Sequence, residues 1–221
     1  MRASEVRRLA HQARIGPRSS VLDLCCGVAG PGRLITAESG CQYLGVDHSA
    51  IALATARELA GSLPCRFARA HLPPVPAGRF EVVLLLETML AFRDKEALLA
   101  EVARVLEPGG RFVFTVEEGR PLTLQERAWM PGADTVWLVE LADLTGLLRE
   151  AGFAVTWQRE YSSSHQATAT ALLHSYRADS PQIASQIGVR SANKLITAHQ
   201  LWSIWLGSGR VRKFAMVAEK Q

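Results

Sequence analysis

The stretch Val21–Ile35, VLDLCCGVAGPGRLI, sets an acid at the end of an apolar run, then two cysteines, then three glycines, then a segment of helical composition. A glycine loop between a strand and a helix lets backbone amides approach a bound nucleotide. The glycines are Gly27, Gly30 and Gly32, spaced G-x-x-G-x-G. Dinucleotide sites use G-x-G-x-x-G, and a P-loop ends in Lys followed by Ser or Thr. Neither is present. Asp23, just before the loop, would repel a pyrophosphate but suits an ammonium. Asp47 closes the run QYLGVD 24 residues later, where an acid can accept from both hydroxyls of a ribose.

These residues describe a ligand with a ribose and a cationic group but no pyrophosphate. S-adenosylmethionine has all of these properties. A second set of residues lies further along. Glu87 follows the apolar run EVVLLL, and Tyr161 and His165 lie where a strand-like segment passes into a helical one. An acid or a histidine at such a place can orient an acceptor or take its proton.

The elements that must hold these groups alternate. Val21–Leu24, Gln42–Asp47, Arg66–Ala70 and Glu81–Leu86 read as strands, the last apolar enough to be buried on both faces. Ser49 caps the helical SAIALATARELA, and Asp94 caps DKEALLAEVARVL, whose Leu98, Val102, Val105 and Leu106 form one stripe. Pro108–Gly110 is expected to stop that helix and turn the chain into the strand RFVFTV. Alternation of this kind builds a mostly parallel sheet covered on both faces. Thr123–Glu126 matches a capping box, Asp143–Ala151 reads as a helix, and FAVTWQREY (Phe153–Tyr161) as a strand. Residues 162–209 look helical, with Leu195, His199, Trp202 and Leu206 on one stripe, and KFAMVAE suits a closing strand.

Composition narrows the classes. At 221 residues, 48% hydrophobic and 21% charged, the chain suits one globular domain with a core. No leader is read at the start, and no apolar run is long enough to span a bilayer, so the expectation is a cytoplasmic protein. The four cysteines, Cys25, Cys26, Cys41 and Cys65, include no CxxC pair, so reduced thiols are expected rather than disulfides or a metal site. The net charge of +4 comes from scattered residues, 21 Arg against 4 Lys, which does not call for nucleic acid.

The chain resembles the class I S-adenosylmethionine-dependent methyltransferases over roughly residues 15 to 118. VLDLCCGVAGPGRLI is similar to the family's strand-acid-glycine motif, GVDHS to its ribose-binding acid, RFEVVLLLETMLAF to its fourth strand and ARVLEPGGRFVF to the approach to its fifth. The resemblance implies an α/β, Rossmann-like, doubly wound fold: a seven-stranded, mostly parallel sheet with helices on both faces and a helical lid at 162–209 before the last strand. It implies S-adenosylmethionine as cofactor and S-adenosylhomocysteine as product. The implied cofactor residues are Asp23, Cys25, Cys26, Gly27, Ala29, Gly30, Asp47, His48, His71, Leu72 and Glu87. Two glycines of the family pattern are replaced by Cys25 and Ala29, where a positive φ is disfavoured, and Gly30 is expected to absorb the turn. Cys25 and Cys26 are expected to line the pocket through their amides. His71 stands where the family often has an acid facing the adenine, and His48 either packs on the adenine edge or simply opens a helix.

On the acceptor side, Glu87, His165 and Tyr161 are the candidate catalytic groups. His199, with Trp202 and Trp205, is either core or a wall for an aromatic or cationic substrate. Trp129 and Trp137 follow the fifth strand, at another common substrate wall of the family, and are either part of such a wall or core. Amino-group modifiers of nucleic acids carry an Asn/Asp-Pro-Pro-Tyr-like tetrad after the fourth strand, where this chain has Glu87–Leu90. The expectation is therefore methyl transfer to O, N or C of a small organic acceptor, in natural-product tailoring, by a monomer or homodimer. The alternatives are an S-adenosylmethionine-binding protein that serves another reaction or regulation and, behind it, an RNA methyltransferase.

Overall fold

A computed structural model describes all residues, 1–221. Seven strands form one sheet: β1 (Ser20–Leu24), β2 (Gln42–Asp47), β3 (Cys65–Arg69), β4 (Phe80–Leu85), β5 (Leu106–Glu118), β6 (Phe153–Glu160) and β7 (Arg212–Lys220). Their order is β3-β2-β1-β4-β5-β7-β6. The first five run parallel, and β7 is antiparallel to both β5 and β6. The chain winds outward from β1 to β3, then returns to start again at β4. The β1/β4 junction is therefore the switch point, and a ligand crevice lies beyond the carboxyl ends of those strands.

Nine helices accompany the sheet: α1 (Ala3–Gln12), α2 (Gly30–Ser39), α3 (Ala50–Ala60), α4 (Lys95–Val105), α5 (Leu124–Trp129), α6 (Leu141–Glu150), α7 (Ser162–Ala178), α8 (Ser180–Ile187) and α9 (Val189–Ser208). Their starts follow from the capping side chains. Ser49 accepts the Ala52 amide at 3.2 Å and Asp94 the Ala97 amide at 2.9 Å. Thr123 and Glu126 close a reciprocal capping box. No helix is long and apolar enough to cross a membrane.

Strand alternation divides the core. Leu22, Leu24, Val83, Leu85, Phe112 and Phe114 meet α4 and α6 in a cluster of 22 buried residues. Val21, Val82, Leu84 and Val113 meet α1, α2 and α3 in a second cluster of 17. Each fully buried Leu or Phe contributes about 1.5–3 kcal/mol, so the sheet is stabilised from both faces. A third cluster of six, with Trp205, Met130 and Val211, lies where α9 covers the sheet's edge.

Pro108–Gly110 does not form a separate turn. Leu106 already pairs with Phe80, the chain bulges, and Arg111 resumes pairing with Val82. The helix ends one step earlier, at Val105, and the glycines serve as an excursion inside a strand. The third and fourth strands each begin one residue before the expected start, which is ordinary for strand ends.

Candidate active site

The glycine loop follows β1 and is held from two sides. The Cys26 amide donates to the Val46 carbonyl at 3.0 Å, and the Ala29 amide donates to the Cys26 carbonyl at 2.8 Å. The Gly27 amide donates to Asp47 Oδ2 at 2.8 Å, while Asp47 Oδ1 accepts from the Ser49 amide. These bonds force a left-handed backbone at Cys25 (φ 57°), Gly27 (φ 55°) and Ala29 (φ 55°). The expectation that Gly30 absorbs the turn is therefore corrected: Gly30 opens α2 with ordinary φ, and Ala29 carries the strain. The amide of Cys26 is likewise bonded within the protein, so it is not free to line a pocket. Burial pushes the Cys25 thiol up to about 11 and the Cys26 thiol to about 12, with Asp23 and Asp47 adding to it, so both stay protonated at neutral pH.

The three glycines do different work. A Cβ on Gly27 or on Gly30 would meet nothing within 4 Å, so the loop faces open space there. A Cβ on Gly32 would strike the ring of Tyr43 at 2.2 Å. Gly32 is thus needed for packing, not for a ligand. Tyr43 passes over it and donates its hydroxyl to Asp23 Oδ2 at 2.6 Å. Asp23 shares the face of Val21 beneath α2 and is only 3% exposed, behind the loop rather than open to a ligand. Burial raises its carboxyl to about 7, against the pull of Tyr43. His48 and His71 are exposed beside Asp47, with ring centroids 5.8 Å apart, while Leu72 packs on the core next to them.

A cavity of about 420 Å³ opens beyond the end of β4, the strand that pairs with β1. Glu87 (end of β4), Glu117 (β5) and Lys213 (β7) form its floor. His165, Thr168, Ala169 and Leu172 of α7 and Ala198, His199, Trp202 and Leu206 of α9 form its roof. Glu87 has φ 65°, fixed by its amide bond to Thr115 Oγ1 at 2.7 Å. Lys213 Nζ lies 3.1 Å from Glu87 Oε1 and pairs at short range with Glu117 Oε1. His165 Nδ1 is 3.8 Å from Glu87 Oε2, and its Nε2 is 3.5 Å from Glu5 Oε2.

These charges set one another's titration. Burial raises the Glu87 carboxyl, but Lys213 and His165 outweigh it and hold it below the ordinary range. Burial lowers Lys213, but Glu117 and Glu87 reverse this and keep it charged. Burial lowers His165, and Glu87 and Glu5 only partly restore it, so the ring is neutral at neutral pH.

A methyltransferase domain matches residues 22–114. An uncharacterized methyltransferase of Synechocystis sp. is 32% identical over 161 residues, which cover 67% of this chain and 73% of that protein. The chain belongs to the class I S-adenosylmethionine-dependent methyltransferases. It is an enzyme of that family, and its cofactor is S-adenosylmethionine. The chloroplastic tocopherol O-methyltransferase of Arabidopsis thaliana is 30% identical over 117 residues, 50% of this chain but only 34% of that protein. The methyltransferase thus matches about a third of that relative's length. A mycolic acid cyclopropane synthase in complex with SAH and CTAB superposes with TM-score 0.89 at 12% identity, over 98% of this chain and 83% of that one, and so shares its fold.

The methyltransferase brings the expected residues into two groups. Asp47, His48, His71, Gly27 and Gly30 gather at the carboxyl edge of β1 and β2. Glu87 and His165 meet at the cavity, where His199 and Trp202 join them. Tyr161 does not. It caps α7, bonds through its amide to the Lys213 carbonyl at 2.7 Å, and turns its ring into the α1 face of the core, where its hydroxyl is buried without a partner. Trp129 is exposed, and Trp137 lies between Arg93 and Arg127 at 4.9 and 4.4 Å, so neither lines the cavity. Sequence reasoning missed Glu117, Lys213 and Glu5. Glu117 ends an apolar strand just as Glu87 does, a signal that was open to reading. Lys213 carried no signal until the register of β5 and β7 set it opposite Glu117.

Proposed function

We propose that the methyltransferase methylates a small organic acceptor held in the cavity between the sheet edge and helices α7 and α9. The observation that carries this is the cavity itself. Its 420 Å³ is of small-molecule size, its roof is largely apolar, and its floor begins at Glu87, where β4 ends beside the glycine loop. On this reading the chain is one domain, and the helices over 162–208 act as its lid.

The loop residues fit the cofactor. Asp47 offers both carboxylate oxygens to ribose hydroxyls, and the backbone of Cys25, Gly27, Ala29 and Gly30 leaves room for the amino-acid portion. His48, His71 and Leu72 flank the base. Asp23 acts from behind the loop, through Tyr43 and the local field. When bound, S-adenosylmethionine supplies a methyl carbon on a sulfonium, whose C–S electron pair stays on sulfur as the acceptor's lone pair forms the new bond. Glu87 orients the acceptor. Neutral His165 takes its proton and becomes an imidazolium between Glu87 and Glu5.

Transfer of labelled methyl from S-adenosylmethionine to a panel of small acceptors tests this. The expected result is turnover that falls at least about 100-fold in His165→Gln, with cofactor binding retained. Label that never leaves a cofactor bound by folded protein would contradict the reading and favour a non-transferring role.

A further inference from the structure

The cavity holds more negative charge than its cations balance. Glu87 and Glu117 set two carboxylates in its lining against Lys213 and the neutral His165, and Glu5 adds a third behind His165, outside the lining. A second, independent observation concerns Glu117. It lines the cavity, is 9% exposed, gives Oε1 to Lys213, and keeps Oε2 buried with no partner. A buried carboxylate oxygen without a donor is costly, and folded proteins leave few such atoms without a partner.

We infer that the methyl acceptor is an amine, bound as its ammonium against the free Oε2 of Glu117 and the carboxylate of Glu87. This rests on the methyl-transfer reading and narrows it. A hydroxyl would satisfy Oε2 but leave the excess charge, whereas an ammonium answers both. Trp202 in the roof adds an aromatic face that attracts a cation, and Leu90, Ala169 and Leu172 accommodate an apolar body. The ammonium must lose a proton before its nitrogen can react. His165 receives that proton, and the nitrogen keeps the electron pair.

The test is calorimetric, on the full chain saturated with S-adenosylhomocysteine, and needs no turnover. Amines are titrated against their hydroxyl isosteres: butylamine against butanol, phenethylamine against phenethyl alcohol, tryptamine against tryptophol. In at least one pair the amine should bind about tenfold or more tightly, as a charge-assisted bond implies. Glu117→Gln should abolish most of that preference, with S-adenosylhomocysteine binding as the proof that the variant folds. The absence of a preference for the amine in every wild-type pair would overturn the inference without any variant. So would a preference that survives Glu117→Gln. Failure of S-adenosylhomocysteine to bind wild-type protein is a different result, which would overturn the parent reading and this inference with it.

Discussion

Tyr43 donates its hydroxyl to Asp23 at 2.6 Å, across the space that a side chain on Gly32 would fill. The acid of the glycine motif is thereby fixed from behind. Its carboxyl, raised to about 7 by burial, holds a proton in the folded state that the unfolded chain releases near its ordinary value of 3.8. The stability it contributes is full below the unfolded value and is lost as pH rises through the folded one.

Asp23→Asn keeps an acceptor for Tyr43 and removes this titration. The variant should match the wild type near pH 4 and exceed it by a few kcal/mol near pH 8, because each pH unit between the unfolded and folded values is worth about 1.4 kcal/mol. Urea denaturation across that range measures the gap. A gap that does not grow with pH would show that Asp23 is not titrating as described.

Gly27→Ala separates fold from ligand. The added Cβ meets no protein atom, but φ is 55°. The strain should cost about 1–2 kcal/mol of stability, read as a modest drop in Tm. Cofactor affinity should fall more steeply, because the methyl occupies the open side of the loop. Equal losses in both measurements would mean that the open space is not where the cofactor lies.

Lys213→Met removes the buried cation and leaves the buried Glu117 carboxylate without its partner, facing a Glu87 that is partly open to solvent. A loss of about 3–5 kcal/mol is expected at neutral pH, shrinking as acid protonates the pair. Denaturant melts of the variant at neutral and acid pH check both the size and the direction. A loss below about 1 kcal/mol would show that the cluster is solvated.

Much of this was legible in the sequence, for identifiable reasons. EVVLLL and QYLGVD are apolar enough to declare buried strands, and Ser49 and Asp94 mark helix starts because their side chains can reach only the following amides. The absence of a dinucleotide glycine spacing and the acid Asp47 point to the class of cofactor without reference to the fold. Three things were not legible. Asp23 follows Val21 onto the covered face, which requires knowing that α2 lies there. The left-handed turn stays at Ala29 because its amide bonds back to Cys26 while Val46 and Asp47 tie the loop to β2. The Lys213–Glu117 pair is a matter of strand register between residues 96 apart in sequence, which no local pattern encodes.

The central claim is that the loop and Asp47 together hold S-adenosylmethionine. Its most direct test is calorimetric titration of the protein with S-adenosylmethionine, S-adenosylhomocysteine and NAD, repeated on Asp47→Ala. Loss of a carboxylate that braces Gly27 and, as proposed, accepts two ribose hydroxyls should weaken binding by about 100-fold or more. The account predicts saturable binding of both sulfur nucleotides to wild type, none of NAD, and loss in the variant. Folded wild-type protein that binds neither sulfur nucleotide, or an Asp47→Ala variant that binds them undiminished, would contradict it.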